Sequence, residues 1–187
     1  ERLAQQAWLR SAQTELVGEL VGELSANVLG RKVLAFCSRH LGSAVGALYV
    51  RERDGSLRRA ASYGFSMEAE ASPQVFSPTQ SLIGQAAAER RRMLIEPIQA
   101  DYLKVNSGLG EMAPSAVLLM PVSSNGVVNG VVELGLPAAP DSRANQLLDL
   151  VGEDIGDSLA AARYREQLQD ALAETQQLNE ELQVQQE

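Results

Sequence analysis

Hydrophobic residues in the first third of the chain recur with the period of an amphipathic α-helix. They form a wide apolar face that must pack on another element, and the face comprises Leu9, Leu16, Val17, Leu20, Val21, Leu24 and Val28. Gly18 and Gly22 interrupt it, either because two helices approach closely there or because the glycines belong to an exposed connector. Gly30 predicts a break before a second helix over 32–41, which Gly42 ends.

From Ser43 the helical period gives way to the alternation typical of β-strands. The predicted strands are 44–51, 57–63, 93–96, 116–123 and 127–136. A turn at Asp54-Gly55 joins the first pair of strands, and a turn at Asn125-Gly126 joins the last pair. Asn-Gly favours a tight hairpin turn because it tolerates positive φ angles. A short helix is predicted around 82–92, and the long loop at 97–114 is of a length that often covers a binding site.

The chain from Asp141 onward is predicted to form one long helix. Its first apolar stripe consists of Leu148, Val151, Ile155, Leu159 and Ala162, and Gly152 and Gly156 beside it either lower the helix rigidity or allow close packing on the sheet. The second stripe has coiled-coil spacing and consists of Leu168, Leu172, Thr175, Asn179, Leu182 and Gln186. The two stripes are out of strict heptad phase, which predicts a register shift between them.

The second stripe favours a weak dimeric coiled coil. Asn179 lies on its seam, where an amide needs a partner amide and so disfavours other registers. The alternative is a solvated amphipathic tail, because Glu, Gln and Asn dominate 174–187. The seam pattern runs to the last residues, so we expect the sequence to be a piece of a larger protein.

The element order predicts an α+β fold with an antiparallel sheet, long N- and C-terminal helices, and helices packed on one face of the sheet. At 187 residues the chain suits a single core. We divide it into an N-terminal signalling helix at 1–29, a domain at 30–163 and a C-terminal coiled-coil linker helix at 164–187.

Composition excludes several classes of function. The net charge is −8 with scattered basic residues, which argues against a nucleic-acid partner. No apolar stretch is long enough to span a bilayer, so we expect a cytoplasmic module without direct membrane contact. The single cysteine, Cys37, excludes an internal disulfide and is predicted to be buried and inert. His40 is the only histidine, and no catalytic, cofactor or metal site can be placed around it.

Three segments, at 45–50, 81–87 and 130–135, make residues 30–163 resemble a GAF domain in sequence as well as in element order. The flanks Ala7-Trp8-Leu9-Arg10 and 177–183 resemble those of the cytoplasmic GAF module in bacterial sensor histidine kinases, often hybrid ones with receiver domains. The resemblance implies a relay or sensor segment between an upstream linker and the downstream kinase domain of the same chain, whose parent protein could be anchored in the inner membrane.

The special chemistries of this family are not expected here. Haem ligation would rest on one helix-end histidine, and bilin attachment or methionine sulfoxide reduction would rest on Cys37, which has no second cysteine to resolve it. The cyclic-nucleotide signature of the family is absent between Gln80 and Val122. We therefore expect no enzyme activity and no cofactor in this segment.

Two functions remain. The first is a non-catalytic signal relay that acts as a homodimer through its terminal helices, with an interface formed by Leu16, Leu20, Leu24, Leu168, Leu172, Asn179 and Leu182. The alternative is a sensor of an unknown small molecule with a pocket under the 97–114 loop, for which the candidates are Tyr102, Ser107, Leu109, Ser115 and Glu133. Tyr102 and Leu109 could instead fill that space, and Glu133 could instead face solvent or a neighbouring strand.

Overall fold

A computed structural model of the protein describes residues 1–72, 74–99 and 101–185. Its helices are α1 (Arg2–Glu19), α2 (Ala26–Leu41), α3 (Met67–Ala71), α4 (Leu82–Glu89) and α5 (Ser142–Gln185). Its strands are β1 (Val45–Arg51), β2 (Leu57–Tyr63), β3 (Val75–Phe76), β4 (Met93–Ile95), β5 (Val105–Ser107), β6 (Gly110–Met112), β7 (Ala116–Ser124) and β8 (Val127–Leu136).

Six of the strands form an antiparallel sheet in the order β3-β2-β1-β8-β7-β4, and β5 and β6 form a separate hairpin. Asn125 and Gly126 both have positive φ, at 50° and 77°, which confirms the predicted tight turn between β7 and β8. The α+β class, the antiparallel sheet and the long terminal helices are therefore as predicted. The short helices α3 and α4 lie on the opposite face of the sheet from α1, α2 and α5.

The break between the first two helices lies at 20–25, and the predicted break at Gly30 is wrong. Gly22 supplies a φ of +102° in this connector, and the Ser25 hydroxyl accepts a hydrogen bond from the Val28 amide, which caps α2. Gly30 lies inside α2, where a Cβ would come within 2.6 Å of Ala61 Cβ. Its small size serves close packing on β2, so the glycine marked a contact and not a helix end.

The helix-side core is continuous from α1 through α2 and the sheet to the first half of α5. Gly156 packs directly on the Ser123 backbone of β7, where any side chain would overlap the carbonyl oxygen. Gly152, Gly18 and Gly22 face open space. Close packing on the sheet therefore explains Gly156 and the positive φ explains Gly22, whereas Gly18 and Gly152 have no steric reason to be glycine.

Four small elements were not predicted. The loop at 97–114 contains the hairpin of β5 and β6, and α3 and β3 precede α4. Ser66 caps α3 by accepting a hydrogen bond from the Ala69 amide. These elements are too short for a hydrophobic period to show in the sequence.

Helix α5 changes character along its 44 residues. Leu147 to Ala162 contribute to the core, but every described residue from Leu168 onward is exposed. Gln186, the last predicted seam residue, lies outside the described residues, as does Glu187. Across the described ranges, no helix combines the length and apolar character that a membrane crossing requires.

Candidate ligand pocket

A cavity of about 370 Å³ lies on the face of the sheet opposite the long helices. Its floor consists of β1 and β8, and α3 and the segment before β5 lie around it. The aromatic and charged residues that line it are Tyr49, Arg59, Phe65, Phe76, Tyr102 and Glu133. A cavity of this size and mixed lining is typical of a small-molecule site.

Glu133 lies in the cavity floor because of the strand alternation of β8. Val132 and Leu134 point into the helix-side core, which turns the side chain between them to the other face. Ala47 is its partner residue on β1 and takes up little room beside the carboxylate. Burial raises the pKa of Glu133 above its usual range, which a hydrogen bond from Tyr49 opposes.

Tyr49 on β1 is hydrogen-bonded to this carboxylate. Its Oη donates a hydrogen bond of 3.0 Å to Glu133 Oε2. Burial raises the pKa of the Tyr49 phenol far above its usual value, and the negative charge of Glu133 raises it further. The phenol therefore stays protonated at neutral pH, and its O–H remains available to donate to Glu133.

Arg59 is buried beside the cavity, where it holds α3 in place. Its guanidinium donates to the carbonyl oxygens of Ala69 (3.1 Å) and Glu70 (2.8 Å) and lies 4.9 Å from the centre of the Phe65 ring. Both carbonyl groups belong to the last turn of α3, where carbonyl groups have no amide partner within the helix. The charge of Arg59 is thus used mainly to fix the cover of the cavity.

Aromatic rings form much of the remaining wall. Tyr49 and Phe76 pack edge to face with their ring centres 5.5 Å apart. Tyr102 lies at the rim and is 56% exposed, so it separates the cavity from solvent only in part. Burial raises the pKa of Tyr102, and the charge of Glu133 adds to this effect.

The structure brings together two of the five predicted pocket residues, Tyr102 and Glu133. The other three do not line the cavity. Ser107 and Leu109 lie at the turn of the β5–β6 hairpin, where the Ser107 hydroxyl donates to the Gly110 carbonyl oxygen and Leu109 is fully exposed. Ser115 is exposed next to β7. Ser107 and Leu109 belong to the hairpin turn and Ser115 to the segment between β6 and β7, so the structure places none of the three in the cavity lining.

Sequence reasoning missed Tyr49, Arg59, Phe65 and Phe76 as lining residues. Tyr49 could have been found from its alternation with buried Leu48 and Val50, which places it on the opposite face of β1. The other three become neighbours through the unpredicted α3 and β3, so the sequence held no comparable signal for them.

The predicted dimer residues fall into two groups. Leu16 and Leu20 are 0% and 8% exposed in the core of the chain itself, which leaves no surface on them for a partner and corrects that assignment. Leu24 is partly buried and packs against the same core. Leu168, Leu172, Asn179 and Leu182 are exposed on α5, and their role in a dimer stays a prediction.

Cys37 and His40 lie away from the cavity. Cys37 is buried in the helix-side core as predicted, and burial raises the pKa of its thiol to about 12. His40 lies in the last turn of α2, where Nε2 is 2.9 Å from Glu15 Oε2 and the ring contacts Trp8 and Phe36. Both side chains therefore serve the packing of α2.

Comparisons with known proteins agree with this architecture. A family model described as GAF domain matches residues 23–160. The GAF domain of an Acinetobacter phosphoenolpyruvate-protein phosphotransferase superposes with a TM-score of 0.67 at 16% identity, covering 86% of this chain and 98% of that one. No curated protein matches the sequence.

Two further structures show how varied the similar proteins are. The GAF domain of a protein described as a sensor histidine kinase from Pseudomonas syringae pv. tomato has a TM-score of 0.59 and 17% identity, with 93% and 97% of the two chains covered. Free methionine-R-sulfoxide reductase from Neisseria meningitidis, in complex with its substrate, has a TM-score of 0.63 and 15% identity, with 85% and 92% covered. Identities this low establish the fold alone.

Proposed function

The chain belongs to the GAF domain family of signalling and sensing modules, and we propose that it is a non-catalytic relay that passes a conformational signal to a downstream histidine kinase domain. In this proposal it acts as a homodimer through α5. The similar GAF domain from a sensor histidine kinase supports a kinase as the downstream domain. The resemblance of both flanks to those of sensor kinases and the exposed end of α5 support it as well.

The observation that carries the proposal is the division of α5 into two halves. The first half is part of the core, whereas the second half extends beyond the body with leucines at coiled-coil spacing. The side chains of these leucines are exposed, with relative exposures of 52% at Leu168, 60% at Leu172 and 56% at Leu182. A single helix that belongs to the core at one end and offers an unpaired apolar seam at the other can transmit a shift in packing along its axis.

Polar contacts tie the point where α5 leaves the body to two other elements. Arg163 pairs with Glu52 at the end of β1 (2.7 Å) and with Glu166 (2.8 Å). Glu166 accepts a hydrogen bond from the first amide of α2, at Ala26, and Arg165 donates to the Leu24 carbonyl oxygen. A displacement of the α1–α2 connector or of β1 would therefore also move the start of the exposed seam.

The oligomeric state tests the relay. Leu182→Glu places a charge on the seam, and Val184→Glu places the same charge two residues away, off the seam, where Val184 is 76% exposed. We expect light scattering to show a dimer for the unmodified chain and for Val184→Glu, and a shift toward monomer for Leu182→Glu, with equal helix content by circular dichroism. A dimer that persists in Leu172→Glu/Leu182→Glu would exclude this helix as the interface.

A ligand sensor is the second candidate function, and the cavity over Glu133 supports it. A ligand in the cavity would bias the helices only if it bound one of their packings better than the other. A reductase function finds no support, because the one cysteine is buried on the opposite side of the sheet. Native mass spectrometry of the protein purified from cells should show a retained mass of a few hundred daltons per subunit if it is a sensor.

A further inference from the structure

We infer that the cavity binds a small organic cation, such as a primary ammonium compound, whose charge pairs with Glu133 between aromatic walls. This inference rests on the second candidate function, the sensing role of the cavity, and it names the class of ligand. It does not depend on dimerisation.

The charge of Glu133 has no cationic partner among the described residues. Its one hydrogen bond there comes from Tyr49 Oη to Oε2, and no arginine, lysine or histidine side chain forms an ion pair with it. The other oxygen, Oε1, accepts no hydrogen bond from the described part of the chain but is not sealed from the cavity. A carboxylate taken out of water is costly unless it is paired, so a bound cation would supply the missing partner.

The walls around this carboxylate also suit a cation. Aromatic ring faces are electron-rich and attract ammonium groups, most strongly where water is excluded. Tyr49, Phe76 and Tyr102 offer such rings to the cavity. A volume of about 370 Å³ equals that of roughly twelve water molecules, so a ligand of about ten non-hydrogen atoms fits.

Among the described residues that line the cavity, Arg59 is the one with a cationic side chain, and its charge is already compensated. Two carbonyl oxygens of α3 and the Phe65 ring engage the guanidinium, and the Glu70 carboxylate is 3.6 Å away. It supports α3 at the β2 side of the cavity, whereas Glu133 lies on β8. The free charge that a ligand would meet is therefore negative.

Three probes of nearly equal size test the sign of this charge: benzylammonium, benzyl alcohol and benzoate. We expect titrations followed by NMR to show benzylammonium binding about tenfold or more tightly than benzyl alcohol, with the largest shifts on β1 and β8, and benzoate weakest. A charge-assisted hydrogen bond together with a cation–π contact is sufficient for such a ratio.

Glu133→Gln is nearly isosteric and should bring the ratio between the ammonium and the alcohol close to one. Glu111→Gln removes the same charge from the exposed β6 strand outside the cavity and should leave the ratio unchanged. A ratio that survives in Glu133→Gln, equal or tighter binding of benzoate, or no binding of any probe at millimolar concentration would each overturn the inference.

A second measurement uses the unmodified protein and needs no variant to fold. Benzylammonium should bind more tightly as the pH rises through the titration of Glu133, and benzyl alcohol should not. Among the described residues that line the cavity, the other ionisable groups are Tyr49, Tyr102 and Arg59. Both tyrosine pKa values are raised by burial, and an arginine keeps its charge, so these three do not titrate below pH 8. A pH-independent affinity for the ammonium probe would contradict the inference.

Failure of this inference and failure of the relay are distinguishable. A monomer that binds benzylammonium selectively supports the cation site and contradicts relay through a dimer. A dimer that prefers benzoate contradicts the cation site and leaves the seam of α5 supported.

Discussion

Two glutamates of this chain have pKa values displaced in opposite directions, because burial dominates at one and the hydrogen bonds and charges of His40 and Arg39 dominate at the other. Burial raises the pKa of Glu133 in the cavity. The hydrogen bond with His40 lowers the pKa of Glu15 between α1 and α2, with burial opposing it and Arg39 lowering it further. The two residues thus make opposite contributions to the pH dependence of stability.

For Glu133 the folded protein favours the neutral form. The stability gained from that form is present below the usual carboxyl pKa of 4.5 and is lost as the pH rises through the higher pKa of the folded state. Glu133→Gln is neutral throughout, so its free energy of unfolding should rise relative to that of the unmodified protein as the pH increases. Urea unfolding at a series of pH values from 4 to 8 measures this, and a constant difference would contradict it.

For Glu15 the folded protein favours the charged form. The stability is present above pH 4.5 and is lost as the pH falls through the lower pKa of the folded state. Glu15→Gln should therefore lower the free energy of unfolding by about 0.5 kcal/mol at pH 7, since the contact with Arg39 and His40 is partly exposed. The difference should vanish in acid. Equal stability at pH 7 would mean that this contact contributes nothing.

How far the site could be predicted also depends on single residues. Glu133 stood out because it interrupts an apolar strand, and Tyr102 because it lies in a long loop. Arg59 looked like an ordinary polar position on a strand, since its role comes from carbonyl groups of a five-residue helix that sequence periodicity cannot reveal. The prediction that Ser107 and Leu109 line the pocket did not hold, because both residues lie at the turn of the β5–β6 hairpin and outside the cavity lining.

At the level of elements, the glycines of α5 give a matched pair. A Cβ at Gly156 would overlap the Ser123 carbonyl oxygen, whereas a Cβ at Gly152, one turn earlier, meets nothing within 4 Å. We expect Gly156→Ala to lower the free energy of unfolding by about 2 kcal/mol or more through overpacking, and Gly152→Ala to raise it by up to about 1 kcal/mol through helix propensity. Denaturant unfolding of both variants measures this, and equal effects would contradict the role of close packing.

The difference between local sequence signals and packing contacts explains which elements were predictable. The strands from Leu57 to Tyr63 and from Val127 to Leu136 follow from alternation and turn residues alone, because those signals are local. The position of the first helix break did not follow, because Gly22 and Gly30 look alike in sequence. Only the packing of α2 on β2 shows that Gly30 is a contact residue.

At the level of the whole molecule, the seam on α5 predicts a register as well as a partner. Asn179 is exposed and lies between seam positions Thr175 and Leu182. In a parallel pair its amide is satisfied by the same amide of the partner, which penalises every shifted alignment. Asn179→Leu should therefore strengthen dimerisation, by about tenfold or more in dissociation constant, and should loosen the register.

The register can be read from disulfide crosslinking, because a bridge forms only when the Cα atoms approach within about 7 Å. With Thr175→Cys on the seam we expect one crosslinked species in the otherwise unmodified chain. The Asn179→Leu background should allow additional pairings with a second cysteine one heptad away, at Leu168. Cys37 is buried, so it should not contribute. A single register in both backgrounds would mean that the seam leucines alone align the helices, and a relay through a change of register would then lose its structural basis.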